Sequence, residues 1–99
     1  MRILILTSCT GKKKSKPKNQ LTIEDFRGGN DHLKNRTKEL QEYQVPAIEL
    51  YTGGQHLSLK RALEKLRSSF HQHEFELKIV SAGYGLLNEN EKVVPYEVT

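Results

Sequence analysis

An apolar run, Ile3-Leu4-Ile5-Leu6-Thr7, stands almost at the start of the chain and decides the fold class. It lacks the alternation of apolar and polar residues that marks a strand with one face in water. The run therefore predicts a strand that is buried on both faces. Strands of that kind belong to parallel sheets that are covered by helices, so we expect an α/β fold.

A helix and a second strand are predicted much further along the chain. Leu59 and Leu63 belong to a series of apolar residues at helical spacing, which predicts a helix over 55–71. The apolar residues of 75–80 predict a strand that ends at Ser81. The predicted order of elements is a strand, a polar helical segment, a helix and a second strand. This is the order of a βαβ unit with a right-handed crossover. We expect a small, mainly parallel sheet, flanked by helices in a three-layer arrangement.

The segments between these elements are more polar. Thr22 followed by Asp25 has the spacing of a helix cap. A second, polar helix is predicted over 30–43 and is stopped by Pro46. The short apolar stretch at 45–51 predicts a strand or an ordered turn.

The last residues form an apolar segment, Val93-Val94-Pro95-Tyr96-Glu97-Val98. A third strand there would be an edge strand with an exposed apolar face, which natural monomers avoid. We therefore expect residues 1–99 to be a single α/β domain that is truncated at its C-terminus. The alternative is a homo-oligomer built through this segment.

Composition excludes several classes of protein. The chain has 99 residues, enough for one domain, and no apolar run approaches the length of a membrane span. Cys9 is the only cysteine, which excludes a disulfide scaffold and favours the cytoplasm.

Basic charge is concentrated near the N-terminus. The first 18 residues hold six of the 16 basic residues and none of the 12 acidic ones. Residues 11–20 contain several lysines and no apolar side chain, so they predict a basic, flexible loop. Such a tract suits phosphate or nucleic acid, although a solvated loop without a ligand has the same composition.

Two predicted strands end in small polar residues, and this is the best functional signal in the sequence. Ligands of open parallel sheets bind beyond the carboxyl ends of the strands, where these two loops would share one rim. Small residues let a ligand approach the backbone. Tyrosines near turns could stack on a nucleobase. The candidate ligand-binding residues are Ser8, Cys9, Thr10, Tyr51, Ser81, Gly83, Tyr84, Tyr96 and Glu97, and the candidate phosphate or nucleic-acid ligands are Lys12, Lys13 and Lys14.

Several more specific chemistries are not supported. The tract 10–15 lacks the spacing of a Walker A phosphate loop. Cys9 lies beside lysines that would lower a thiol pKa, but the sequence assigns it no base, so a packed small residue is favoured. His71 and His73 do not complete a zinc-ligand set. We expect no metal and no cofactor, and the sequence assigns no catalytic residue.

Four motifs together resemble a known family. They are Leu6-Thr7-Ser8-Cys9 with Lys12 and Lys13, Pro46-Ala47 with Leu50-Tyr51-Thr52-Gly53, Ile79-Val80-Ser81-Ala82 with Tyr84-Gly85-Leu86-Leu87, and Pro95-Tyr96-Glu97 with Thr99. In this order they resemble uncharacterised domains related to the YaaA peroxide-stress proteins. More distantly they are similar to the uracil-DNA-glycosylase-like accessory domain of archaeosine-type tRNA-guanine transglycosylases.

The resemblance implies an α/β fold and a link to nucleic-acid or deazaguanine modification or to stress response, but no settled reaction. Family members often carry Asp at the position of Glu97. Three hypotheses follow. The first is a nucleotide- or nucleobase-binding cleft at the rim, and the second is a non-catalytic nucleic-acid-binding module that uses the lysine-rich loop. The third is a structural fragment without activity of its own.

Overall fold

The computed structural model of the chain describes residues 1–8 and 11–98. Cys9, Thr10 and Thr99 lie outside the described residues. The elements are β1 (Arg2–Ser8), α1 (Ile23–Arg27), α2 (Asn30–Glu39), a 3-10 turn (Gln41–Tyr43), β2 (Val45–Pro46), α3 (Ala47–Leu50), α4 (Gly54–Ser69), β3 (Glu74–Ser81), β4 (Gly85–Asn88) and β5 (Lys92–Val93).

The main sheet has the strand order β1-β3-β4. Strands β1 and β3 are parallel neighbours, and their register runs from Arg2 opposite Glu74 to Ser8 opposite Val80. The prediction that the first strand and the strand ending at Ser81 are parallel and adjacent is therefore confirmed. Strand β4 returns antiparallel to β3. It does so through a turn in which Gly85 adopts a φ of 80°, a conformation that favours glycine.

The prediction of a mainly parallel sheet is wrong. Besides the antiparallel β4, the short strands β2 and β5 form a separate antiparallel ladder. The sequence signal missed β4 because its residues follow a glycine turn directly and are too few to form a periodic pattern. The chain is nevertheless a mixture of helices and strands, as an α/β fold requires.

The two faces of the main sheet differ, which corrects the interpretation of β1. Ile3 and Ile5 are partly buried on the core side, whereas Leu4 and Leu6 are 58% and 61% exposed on the other side. On that side Val80 also remains exposed. The strand is therefore not buried on both faces, and in the described chain helices do not form a third layer over these leucines.

Helix α4 packs its apolar face on the sheet. It runs over Gly54–Ser69, close to the predicted helix at 55–71, and Leu63 is the fully buried residue at the middle of its apolar face. The core collects side chains from most elements around this contact. Its fully buried members are Leu21, Leu40, Ala47, Leu50, Tyr51, Leu63, Leu77, Ile79, Leu87, Val93, Val94 and Tyr96.

The C-terminal segment is part of this core rather than an exposed edge. Val94 and Tyr96 are buried by the chain itself. The backbone is held in place because the Leu21 N–H donates to the Pro95 carbonyl (3.0 Å) and the Glu97 N–H donates to the Leu21 carbonyl (2.8 Å). The expectation of an exposed apolar edge here is wrong, because the apolar surface that would have needed an oligomer partner is buried within the chain.

The cap predicted at Thr22 forms and joins two helices. The Asp25 carboxylate accepts hydrogen bonds from the Thr22 N–H (2.8 Å), from His32 Nε2 (2.9 Å) and from Arg36 Nε (3.1 Å). His32 and Arg36 belong to α2, so one buried carboxylate closes the first turn of α1 and ties α2 to it. The predicted helix at 30–43 divides into α2 and the 3-10 turn at Gln41–Tyr43.

Candidate functional site

The two serines of the predicted rim lie at the same edge of the sheet. Ser8 ends β1 and is paired with Val80, the residue before Ser81. Ser8 is exposed, whereas Ser81 is buried. Cys9 and Thr10, the next two residues of the predicted site, lie outside the described residues. The parallel register thus brings the ends of both strands to one rim, as the sequence predicts.

Three hydroxyl groups form a hydrogen-bonded chain beneath this rim. The Tyr96 hydroxyl lies 2.7 Å from the Tyr51 hydroxyl and 2.7 Å from Ser81 Oγ. Ser81 Oγ also accepts a hydrogen bond from the Tyr84 N–H (3.1 Å). Tyr51 and Tyr96 are each 1% exposed. Four predicted site residues therefore do converge, but Tyr51 and Tyr96 support the rim from below.

Tyr84 closes the cluster at the turn between β3 and β4. Its hydroxyl donates to the Val94 carbonyl (3.3 Å) and accepts from the Val94 N–H (3.2 Å). Burial raises the pKa of the Tyr84 hydroxyl above its ordinary value, and the hydrogen bond to Val94 works against this rise. The hydroxyl is consequently protonated at neutral pH and acts as a hydrogen-bonding group.

Phe26 of α1 packs on the edge of this cluster. Its ring makes edge contacts with the rings of Tyr84 (4.9 Å between centroids) and Tyr96 (5.7 Å). The backbone of Gly83 lies close to the rings of Phe26 and Tyr96. A Cβ at this position would lie 2.7 Å from the Phe26 ring and 3.1 Å from Tyr96. Gly83 is thus required by close packing, and the α1 helix reaches the rim through Phe26.

The lysine tract is attached to the rim by its backbone. Lys13 forms an antiparallel bridge with Tyr51. On either side of this bridge, the Lys14 N–H donates to the Leu50 carbonyl (2.7 Å) and the Thr52 N–H donates to the Lys12 carbonyl (2.9 Å). The loop at 11–20 is irregular, but these bonds fix the position of its first part. Its flexibility stays a prediction.

The side chain of Lys13 turns toward the tyrosines. Its ammonium group lies 4.6 Å from the centroid of the Tyr96 ring, within the range of a cation–π contact. Lys12 and Lys14 are exposed. Glu97 is exposed next to buried Tyr96, with its backbone N–H bound to Leu21. The predicted cations and the predicted hydroxyls therefore belong to one region of the molecule.

Two residues of this region carried no clear sequence signal. Phe26 is a single aromatic residue in a polar segment, so no periodicity assigned it to a face. His56 follows the Gly53-Gly54 pair and is buried in the first turn of α4, with its ring 5.6 Å from that of Tyr51. Its position after two glycines, at the start of the strongest predicted helix, is the signal that could have drawn attention to it.

The chemical groups that the structure describes at the rim limit what it could hold. Its described groups are hydroxyls, lysine ammonium groups and backbone N–H groups, which suit an anion or a polar ring. Within residues 1–8 and 11–98, histidine, cysteine and acidic side chains form no cluster of three or more that could hold a metal ion. No helix in the same residues is long and apolar enough to cross a membrane.

Comparison with known proteins adds no relative. The chain matches no protein-family model, and it matches neither a curated protein nor a solved structure.

Proposed function

We propose that the chain binds a nucleotide, or a nucleobase within a nucleic acid, at the rim where β1 and β3 end. The observation that carries the proposal is the attachment of the lysine tract to the tyrosine–serine cluster. The bridge between Lys13 and Tyr51 and the cation–π contact with Tyr96 place positive charge next to hydroxyls and aromatic rings. A nucleotide carries an anionic phosphate that matches this positive charge.

In this proposal the residues have different roles. Lys12 and Lys14 are exposed and attract the phosphate, while Ser8 at the strand end offers a hydroxyl to the ligand. Tyr51 and Tyr96 hold the loops at their positions from within the core. The resemblance to domains of nucleic-acid and deazaguanine metabolism points to the same ligand class. A role in modification or stress response, and a cytoplasmic location, belong to the proposal as well.

Isothermal titration with the four nucleoside 5′-monophosphates tests the proposal. A triple variant, Lys12→Gln, Lys13→Gln and Lys14→Gln, should weaken binding at least tenfold because it removes the cations of the rim. The matched control is Lys34→Gln, Lys38→Gln and Lys65→Gln, which changes the net charge equally on exposed helical positions. This control should bind as the wild type does. Equal weakening by both triple variants would mean that only net charge matters and would overturn the proposal.

A salt titration separates the nucleotide site from a nucleic-acid-binding module. Binding of a single-stranded oligonucleotide through lysines alone weakens with salt, with a log–log slope of about −0.7 per phosphate contacted. A cleft for a base also binds the free nucleotide and depends less on salt. The nucleotide cleft is wrong if the affinity for the oligonucleotide falls steeply with salt and no mononucleotide binds at millimolar concentration. In that case the chain is a nucleic-acid-binding module that uses the lysine-rich loop.

A further inference from the structure

The outer edge of β1 has no partner strand among the described residues. Strand β1 stands at one end of the sheet order β1-β3-β4, and no other described strand or isolated bridge pairs with it. The Glu74 N–H donates to the Met1 carbonyl (2.9 Å), so Met1 directs its backbone groups toward β3. Because this direction alternates along a strand, the even-numbered residues of β1 present their N–H and C=O groups to the open edge. They are Arg2, Leu4, Leu6 and Ser8.

This edge carries none of the features that keep edge strands from pairing. Residues 3–8 are Ile-Leu-Ile-Leu-Thr-Ser, with no proline and no charged side chain. The strand pairs with β3 one residue to one over its whole length, so it has no bulge. Natural proteins block such an edge with a lysine, a proline or a bulge. Strand β1 is therefore open to backbone pairing with another strand.

The side chains of β1 are also incompletely covered on both faces. On the core side Ile5 is only partly buried, although its neighbour on β3, Leu77, is 1% exposed. On the other side Leu4 and Leu6 are more than half exposed. An apolar run without alternation is typical of a strand in the interior of a sheet. A further strand beside β1 would thus contact apolar side chains on both faces.

We infer that β1 pairs antiparallel with β1 of a second copy of the chain, about a two-fold axis at Ile5. The pairing joins the two three-stranded sheets into one continuous sheet. Leu4 then faces Leu6 of the other copy, and the two form a hydrogen-bonded pair because both direct their backbone groups to the edge. Ile5 meets its own counterpart at the axis. Such contact of one patch with itself defines a two-fold dimer, which is the commonest homo-oligomer.

The charges around the edge fit a second copy in this orientation. Arg2, the one charged residue of β1, lies opposite Ser8 of the other copy, so no like charges of the two strands meet. On β3, Glu76 and Lys78 are the register partners of the two exposed leucines. A row of side chains across the joined sheet therefore runs from Lys78 through two leucines to Glu76 of the other copy. Because β1 complements itself in this way, its partner is a second copy rather than a strand of another protein.

Light scattering of the full chain over a range of concentrations tests the pairing. The wild type should approach twice the mass of the 11.4 kDa chain as its concentration rises. Leu6→Lys changes both leucine pairs of the dimer and should weaken dimerisation at least tenfold. The matched control is Leu86→Lys, because Leu86 is similarly exposed on the same face but belongs to β4, at the far edge of the sheet. The control should dimerise as the wild type does.

Mixtures of variants test the register. Leu4→Lys mixed with Leu6→Glu places a lysine opposite a glutamate and leaves the other leucine pair unchanged. This mixture should form heterodimers at least tenfold more tightly than either variant forms homodimers, as measured by native mass spectrometry with one variant isotope-labelled. The matched mixture is Leu4→Lys with Leu4→Glu, in which each charged residue faces an unchanged Leu6. An equal gain in both mixtures would show that net charge alone drives association and would overturn the proposed pairing.

Amide hydrogen exchange gives a readout at the edge itself. The N–H groups of Leu4 and Leu6 should exchange quickly in dilute protein and slowly where the dimer forms, whereas the N–H of Ile5, which faces β3, should change little. A wild type that stays monomeric at every concentration overturns the inference. If its Leu4 and Leu6 amides nevertheless exchange slowly, another part of the same chain covers the edge. Equal loss of the dimer in Leu6→Lys and Leu86→Lys would show that the sheets pack face to face and would overturn edge pairing.

Discussion

At the scale of single residues, the hydroxyl of Tyr96 holds the rim together. It is buried and lies within hydrogen-bond distance of both the Tyr51 hydroxyl and Ser81 Oγ. Removing it leaves those two partners buried with one fewer hydrogen bond each. Such a loss costs about 1–3 kcal/mol, because a buried polar group regains no water in exchange.

We therefore expect Tyr96→Phe to lower the free energy of unfolding by about 1–3 kcal/mol in urea melts. Tyr43→Phe is the matched control, since Tyr43 is only partly buried and its hydroxyl makes no hydrogen bond to another described residue. The control should change the free energy of unfolding by less than about 0.5 kcal/mol. Equal midpoints for the two variants would show that the hydroxyl chain contributes nothing to stability.

At the scale of elements, α4 packs on the sheet through its apolar face. Leu63 lies on the face of α4 that packs against the core and is 1% exposed. Leu63→Ala should cost about 2–5 kcal/mol, because it removes buried apolar surface and leaves a cavity. Leu57→Ala, on the same helix but partly exposed, should cost less than half as much. Urea melts of both variants measure the difference, and similar losses would mean that the buried face of α4 is assigned wrongly.

The hydrogen bonds of Asp25 that join α1 to α2 should make the free energy of unfolding depend on pH in the acidic range. Burial raises the pKa of Asp25, but hydrogen bonds from the Thr22 backbone, His32 and Arg36 outweigh this effect and lower it below 3.8. A carboxyl whose pKa is lower in the folded state stabilises the fold above its unfolded pKa. That contribution is lost as the pH falls through the folded value.

Asp25→Asn should therefore be less stable than the wild type at pH 7 and should lose less stability between pH 5 and pH 2. Urea melts across that range give both quantities. Asp31→Asn is the control, because Asp31 is exposed on α2, and its acid profile should follow the wild type. An Asp25→Asn profile parallel to that of the wild type would contradict the assignment of this carboxylate.

At the scale of the whole molecule, one face of the sheet stays apolar and open to water. Leu6 lies on this face and Ile5 on the opposite, core-facing side of the same strand. Leu6→Gln should change the free energy of unfolding by less than about 0.5 kcal/mol and should reduce the binding of a hydrophobic dye. Ile5→Gln places an amide toward the core and should destabilise the fold by more than 1 kcal/mol. Equal destabilisation by both would show that Leu6 is covered.

The sequence predicted local features better than the way in which they combine. Periodicity identified α4, and the spacing of Thr22 and Asp25 identified the cap, because both signals lie within a few residues. The parallel pairing of β1 with β3 followed from the order of elements. The exposure of Leu4 and the burial of Val94 could not be predicted from the sequence. Whether an apolar residue is buried depends on which distant segment packs on it, and the local sequence does not specify that segment.

For the candidate site, the sequence predicted which tyrosines and serines come together but not what they do. Tyr51 and Tyr96 are candidates because each lies beside a turn, and Ser81 is a candidate because it ends a strand; the structure joins all three. Their burial, and the contribution of Phe26, depend on contacts between α1 and the C-terminal segment that no local pattern reports.

The pairing of β1 with β3 also governs when this protein can fold. Among the described residues, the only strand partner of β1 is Glu74–Ser81, which is translated much later than β1. Contacts between such distant parts of a chain form slowly, because a long loop must close before they stabilise anything. The sheet therefore cannot assemble while the chain is still being translated through β3. Until then Leu4 and Leu6 belong to an unpaired apolar strand, which is the kind of segment that makes an incomplete chain prone to aggregation.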